Sequence, residues 1–173
     1  DMPVAVSRLA GAAAGALKTR VHGDFHLGQV LVVQGDAVIV DFEGEPARSL
    51  EERRAKGSPL RDVAGLLRSF DYAASVAAAS EHSATAPAAP TDRRIALLER
   101  WQAEAEGAFL RAYRAAAAEA PDKWVPEGGE AALLDLFLIE KAAYEVCYEA
   151  ANRPTWIGLP LRGLAALAER VTA

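Results

Sequence analysis

Apolar residues recur at helical spacing through most of the chain. The clearest example is the segment 62–80, where Val63, Leu66 and Phe70 fall on one face of a helix. Similar patterns predict four further helices, at residues 4–18, 91–120, 130–152 and 161–171. The Ala-, Ser- and Pro-rich residues 82–90 are predicted to be a linker between two of these helices.

A pattern typical of β-strands follows the first helix. Residues 30–33 and 37–42 are β-branched or otherwise apolar, and Gly35-Asp36 between them is a turn signal. We therefore predict a short β-hairpin, followed by a charged loop over residues 43–59. The predicted fold class is α+β and mainly helical, with one compact unit and one small hairpin after the first helix.

Composition narrows the class of protein. The chain has 173 residues, of which 51% are hydrophobic, enough for one sizeable core. Its net charge of −5 argues against a nucleic-acid partner, which requires a basic face. No apolar run reaches the roughly 18 to 20 residues that span a bilayer, and no signal peptide is evident at the start. A single cysteine, Cys147, cannot form an intrachain disulfide, so the chain is expected to be cytoplasmic. Its expected partners are small molecules or proteins. Because it begins with Asp1, we expect it to be part of a longer protein.

The stretch VHGDFHLGQVLV, residues 21–32, places a polar cluster directly before the hairpin. Asp24 precedes the amide of Gln29 by five residues, and the far end of the hairpin carries Asp41 in VIVDFEG. Protein kinases use the same offset between a catalytic Asp and an Asn, followed by a metal-binding Asp-Phe-Gly. There the first aspartate accepts the proton of the attacking hydroxyl, while the amide and the second aspartate hold Mg²⁺. The pattern therefore predicts phosphoryl transfer.

Two other interpretations of this stretch stay open on the residues alone. Asp24 could cap backbone amides in a structural loop, with His22 and His26 as packing residues. The two histidines could instead bind zinc, since side chains four positions apart meet on one face of a helix. Gly23 and the expected loop conformation count against zinc, and carboxylate and amide oxygens suit Mg²⁺ better.

Four stretches carry a family resemblance. VHGDFHLGQVLV, VIVDFEGEP and SPLRDVAGLLRSFDYAA closely resemble actinobacterial maltokinases, of the aminoglycoside-phosphotransferase-like branch of the protein-kinase-like fold. The resemblance continues in EKAAYEVCYEAANRPTWIGLPLRGL and leaves out residues 82–129. It implies a C-terminal kinase lobe with a catalytic loop at 21–30, a metal-binding hairpin at 30–44 and a helical subdomain at 60–173. The implied reaction uses ATP and Mg²⁺ to convert maltose to maltose 1-phosphate, in glycogen biosynthesis alongside trehalose synthase.

The resemblance also implies roles for individual residues. Asp24 would be the catalytic base, and the metal ligands would be Gln29, Asp41 and, in an assisting role, Glu43. His22 would shape the catalytic loop, and His26 would reach the substrate or serve only in packing. Asp62 resembles the buried aspartate at a helix start that anchors the catalytic loop in related kinases. An ordinary helix N-terminal acid is the alternative for Asp62.

A polar and aromatic stripe follows one face of the predicted helix at 130–152. Its members are Lys141, Tyr144, Glu145, Tyr148, Glu149 and Asn152. Sugars require this mixture, because aromatic rings cover their C–H surfaces while charged and amide groups hydrogen-bond their hydroxyls. The alternative is a solvated face with an ordinary Lys141–Glu145 ion pair. Arg153 and Trp156, which follow the helix, favour a sugar pocket.

A glycine-rich loop and a phosphate-binding lysine, which kinases of this fold carry on an N-terminal sheet, are absent from the sequence. We therefore expect the N-terminal lobe to be missing and the isolated chain to have little or no activity. Two other functions stay open. One is a related kinase that acts on glucosamine or an aminoglycoside, and the other is a catalytically silent binding module derived from such a kinase.

Overall fold

The computed structural model describes residues 1–12, 14–79 and 91–172, which form six α-helices and one two-stranded sheet. The helices are α1 (Met2–Ala12), α2 (Leu50–Arg54), α3 (Leu60–Ala79), α4 (Thr91–Ala118), α5 (Gly129–Asn152) and α6 (Gly158–Thr172). The strands are β1 (Val30–Val33) and β2 (Asp36–Ile39), and short 3₁₀ turns lie at Leu27–Gln29 and Pro154–Trp156. The mainly helical fold with one hairpin is as predicted, while the predicted linker at 82–90 lies outside the described residues.

Helix α5 is the centre of the core. It packs against α1, α3 and α6, and α4 packs on the outer side of α3. The apolar stripe predicted for α3 is buried, with Val63 and Leu67 at 2% and 6% exposure. The other core residues include Ala5, Leu9, Leu60, Leu133, Leu134, Leu138, Ala142, Leu167 and Val171. This packing fixes α3 and α5 side by side, so that polar residues on their facing turns can meet.

The hairpin is antiparallel, with Val30 paired to Ile39 and Val33 to Asp36. Its turn is Gln34-Gly35, not the predicted Gly35-Asp36, and both turn residues have positive φ, as a tight two-residue hairpin requires. Strand β2 ends at Ile39 rather than at residue 42, because the chain bends sharply at Asp41, which has φ 63°.

Apolar side chains of the hairpin are exposed to solvent. Val32 is 80% exposed, and Leu31, Val33, Val38 and Phe42 are each about half exposed. Several exposed apolar side chains on one short hairpin are typical of an interaction site. None of the helices in the described part of the chain is both long and apolar enough to cross a membrane.

The helices also differ from the prediction. Helix α1 ends at Ala12 rather than at residue 18, because Gly15 adopts φ 85° and the Leu17 amide donates to the carbonyl of Trp124. Helix α2 forms inside the predicted loop, where Ser49 and Glu52 make a reciprocal capping box that the sequence SLEE encodes. Helix α6 begins at Gly158, so that a proline lies in its first turn, where its missing N–H costs nothing.

Candidate functional site

The loop at residues 21–26 is anchored by Asp62 in the first turn of α3. The Oδ2 atom of Asp62 accepts a hydrogen bond from the amide of His22 at 2.7 Å, and Oδ1 accepts one from the amide of Gly23 at 2.9 Å. Gly23 has φ 85°, and an added Cβ there would lie 3.2 Å from Gly44. The conformation of the loop therefore depends on a glycine and on a charged acceptor that is distant in sequence.

His22 joins this loop to the end of the hairpin. Its buried ring places Nε2 2.8 Å from the carbonyl oxygen of Val40, which can only accept, so Nε2 carries the proton. Nδ1 then accepts from the amide of Asp24 at 3.4 Å. Both ring nitrogens are engaged, and the loop is not helical, so the geometry does not favour zinc.

The hairpin brings Gln29 and Asp41 into contact. Gln29 Nε2 donates to Asp41 Oδ2 at 3.0 Å, which leaves the amide oxygen of Gln29 and the other carboxylate oxygen of Asp41 available. Glu43 contributes its backbone oxygen to Arg53, and its exposed carboxylate makes no ion pair within the described residues. No group of three or more His, Cys, Asp or Glu side chains in the described ranges is arranged to hold a metal ion.

Asp24 lies where the loop meets α5. The ammonium of Lys141 is 3.6 Å from Asp24 Oδ1 and 3.9 Å from Glu45 Oε2, and His26 Nε2 is 3.9 Å from Asp24 Oδ2. Lys141 therefore pairs with Asp24 and Glu45 across the cleft, and the Lys141–Glu145 pair of a solvated helix face is not formed. Glu45 was not singled out from the sequence, because it lies in a charged loop with no periodic pattern.

A cleft of about 440 Å³ opens beside Asp24, a size suited to a small ligand. Its walls come from the loop, α3 and α5, and it is lined by Asp24, His26, Glu45, Pro46, Gly65, Ser69, Tyr72, Lys141, Tyr144, Glu145, Tyr148 and Arg153. Tyr144 and Tyr148 stack with their ring centroids 6.2 Å apart. Burial, together with the charges of Glu45 and Asp24, raises the pKa of Tyr144 to about 12, so its hydroxyl stays protonated and can donate.

Two glutamates of the stripe are buried rather than solvated. Glu145 is 9% exposed, and its Oε2 accepts hydrogen bonds from Nε and Nη2 of Arg68 on α3. Burial raises the pKa of Glu145, although the charge of Arg68 opposes this shift. Glu149 is 1% exposed and is held by Arg153. The fully solvated alternative was therefore wrong for these positions.

Arg68 is a residue of this site that the sequence analysis did not identify. It is 5% exposed and also donates from Nη1 to Asp71 at 2.6 Å. The signal that could have found it is a single arginine inside the apolar face of α3, a position that requires a buried carboxylate partner. Asn152, by contrast, donates to the carbonyl of Tyr148 and does not line the cleft.

Comparison with known proteins finds glucosamine kinases among the relatives of this chain. No family model matches the chain. It is 30% identical to the glucosamine kinase of Streptacidiphilus jiangxiensis, over 86% of this chain and 31% of the relative. It is also 30% identical to that of Mycolicibacterium smegmatis, over 88% of this chain and 35% of the relative.

Solved structures agree with the sequence comparison. A glucosamine kinase (crystal form B) superimposes with a TM-score of 0.77 at 29% identity, covering 95% of this chain and 37% of that one. A glucosamine kinase in complex with glucosamine, ADP and inorganic phosphate gives a TM-score of 0.73 at 28% identity, covering 93% and 37%. The chain spans about a third of the length of these proteins. The chain is therefore related to the glucosamine kinases, and through them to sugar kinases, over about a third of their length.

Proposed function

We propose that the complete protein is an ATP-dependent kinase that phosphorylates a sugar hydroxyl, with glucosamine as the first candidate acceptor. The observation that carries this proposal is the position of the Asp24 carboxylate at the edge of a sugar-sized cleft. The similarity to glucosamine kinases supports it.

Asp24 acts as the base in the proposed reaction. It accepts the proton of the acceptor hydroxyl as the oxygen attacks the γ-phosphorus of ATP, and the bond between that phosphorus and the β,γ-bridging oxygen breaks to release ADP. Lys141 holds the carboxylate in place from one side. Asp62 binds the amides of His22 and Gly23, and the His22 ring accepts from the amide of Asp24, so the backbone that leads to Asp24 holds the carboxylate in a fixed orientation.

Gln29 and Asp41 are the proposed ligands of Mg²⁺. The donor set fits this ion, because the contacting side chains of Gln29 and Asp41 offer an amide oxygen and a carboxylate oxygen, and Mg²⁺ takes one or two protein ligands together with phosphate oxygens and water. The bound ion would spread the negative charge that develops on the transferred phosphate. Glu43 stays a candidate for an assisting role at the ion.

The charges of the cleft favour an amino sugar. Three carboxylates, Asp24, Glu45 and Glu145, line the cleft against two cations, Lys141 and Arg153, and this small excess of negative charge would stabilise a substrate ammonium group. The stacked pair Tyr144 and Tyr148 would cover the sugar ring. These rings also suit an uncharged disaccharide, so maltose is the second candidate, and a link to trehalose synthase and glycogen biosynthesis depends on that acceptor.

We further propose that this chain is the C-terminal lobe and that ATP binds between it and an N-terminal lobe. The exposed apolar side chains of the hairpin, among them Leu31 and Val32, supply a surface for such a lobe. A silent module would require neither Asp24 at the cleft nor the contact between Gln29 and Asp41.

The test is an ADP-release assay of the complete protein with Mg-ATP and glucosamine, maltose or an aminoglycoside. We expect turnover with glucosamine that falls about 10²–10⁴-fold in Asp24→Asn, the usual cost of a lost general base. Asp36→Asn in β2 is the matched control, because Asp36 is exposed and its carboxylate accepts, among the described residues, only from the next backbone amide. Turnover with maltose alone would make maltose the acceptor in place of glucosamine. No turnover with glucosamine, maltose or an aminoglycoside would overturn the proposal.

A further inference from the structure

Glu149, near the end of α5, is a buried carboxylate that accepts three side-chain hydrogen bonds. Its Oε2 accepts from Nε of Arg153 at 2.9 Å, and its Oε1 accepts from Nη2 of the same guanidinium at 2.6 Å. The hydroxyl of Tyr72 on α3 donates to Oε1 at 3.3 Å. A two-point contact of this kind fixes the plane of the guanidinium as well as its position.

Arg153 is held by this contact at the outer wall of the cleft. The side chain is 48% exposed, and its guanidinium carbon lies 5.0 Å from the ring centroid of Trp156 and 5.7 Å from that of Tyr148. Two of its three nitrogens are used by Glu149, while Nη1 has no hydrogen-bond partner among the described residues. One donor nitrogen of a fixed arginine is therefore available beside the cleft.

Burying a charge is costly, and an apolar residue at position 149 would fill the same volume without that cost. What only a carboxylate provides is the orientation of Arg153. Resting on the proposed function, we infer that Glu149 is a positioning residue for the acceptor. It holds Arg153 against Tyr148 and Trp156, so that Nη1 donates to a hydroxyl of the sugar at the end remote from Asp24.

The test compares Glu149→Gln with the unsubstituted complete protein in steady-state kinetics and in sugar titrations followed by tryptophan fluorescence. We expect the acceptor KM to rise about tenfold or more, the loss that follows when a charged hydrogen bond is removed, while kcat changes less than threefold. The KM for ATP should not change. Glu149→Asp, which keeps the charge, should recover part of the acceptor KM, and a purely structural role would not produce this split.

Glu130→Gln is the matched control, because Glu130 pairs with Arg114 at the other end of α5 and lies outside the cleft. Should Glu149→Gln fail to fold, Arg153→Gln tests the same contact from its half-exposed partner. This variant should raise the acceptor KM in the same way. An unchanged acceptor KM in folded Glu149→Gln, with normal turnover, would overturn this inference alone. Absence of turnover in the unsubstituted protein would overturn the proposed function and this inference with it.

Discussion

Arg68 on α3 and Glu145 on α5 form a buried ion pair in which two guanidinium nitrogens share one carboxylate oxygen, at 2.9 and 2.7 Å. The third nitrogen donates to Asp71, so all three guanidinium nitrogens of Arg68 have a hydrogen-bond partner. Burial lowers the pKa of Arg68, but Glu145 and Asp71 outweigh this effect and raise it, which keeps the residue charged. Gly163 on α6 packs against the guanidinium, and a Cβ there would overlap it. The pair therefore connects the two helices that line the cleft.

Replacing Arg68 alone should strongly destabilise the fold. We expect Arg68→Met to lower the free energy of unfolding by about 3–5 kcal/mol, because Glu145 is then left as an uncompensated buried charge. The double variant Arg68→Met/Glu145→Met should recover most of this loss. Urea unfolding measures both, and Arg100→Met, which breaks an exposed pair with Glu104, should cost less than about 1 kcal/mol. A loss in Arg68→Met no larger than in this control would contradict the expectation.

Gly65 on α3 allows the loop that carries Asp24 to approach the helix. An added Cβ would lie 2.6 Å from the carbonyl oxygen of Phe25, the residue after Asp24, so either the helix or the loop must shift. We expect Gly65→Ala to reduce stability by about 1–3 kcal/mol and turnover by about a hundredfold. Gly11→Ala in α1 is the control, since nothing lies within 4 Å there, and it should stabilise by about 0.5–1 kcal/mol. Equal effects of the two substitutions would show that the close approach is unimportant.

Asp62 can be tested against an ordinary helix N-terminal acid. In Asp62→Asn one of the two loop amides would face an NH₂ group instead of an acceptor, so we expect a loss of about 1–3 kcal/mol in unfolding free energy, together with reduced turnover. Asp92→Asn removes an exposed acid from the first turn of α4 and should cost at most about 1 kcal/mol, with no effect on turnover. If both variants behave alike in thermal unfolding and in the ADP-release assay, Asp62 has no anchoring role.

Glu106 on α4 gives a pH dependence of stability. Burial raises its pKa above the ordinary 4.5, although a hydrogen bond from Gln102 opposes the shift. Asp71 also raises this pKa, while Arg170 and Arg68 lower it. Between 4.5 and the raised value the folded state binds more protons than the unfolded one, so the contribution of Glu106 to stability falls as the pH rises.

We therefore expect Glu106→Gln to gain stability relative to the unsubstituted chain as the pH is raised from 4.5 to 7, measured by urea unfolding at each pH. Glu104→Gln, on the exposed side of the same helix, should show no such trend. A difference between Glu106→Gln and the unsubstituted chain that stays constant with pH would contradict the assignment of a raised pKa.

Local sequence patterns determined the helices, the hairpin and the residues that could perform phosphoryl transfer. The apolar stripe of α3 and the long apolar face of α5 are read from neighbours three and four positions apart, and such contacts form within a single helix. The spacing from Asp24 to Gln29 and on to Asp41 also lies within one loop and one hairpin. Helix boundaries were less well predicted where one glycine in the left-handed region, such as Gly15, ended a favourable pattern.

Only the tertiary structure decided which charges meet. Lys141 has Glu145 four positions along its own helix, yet it lies against Asp24 and Glu45, because the fold brings the loop over that face of α5. Glu145 instead pairs with Arg68, which is 77 positions away in the sequence. Periodicity places a side chain on a face of a helix but does not specify what covers that face. The partner is set by the packing of α3, α5 and the loop around one core, since burial there requires each charge to find a compensating one.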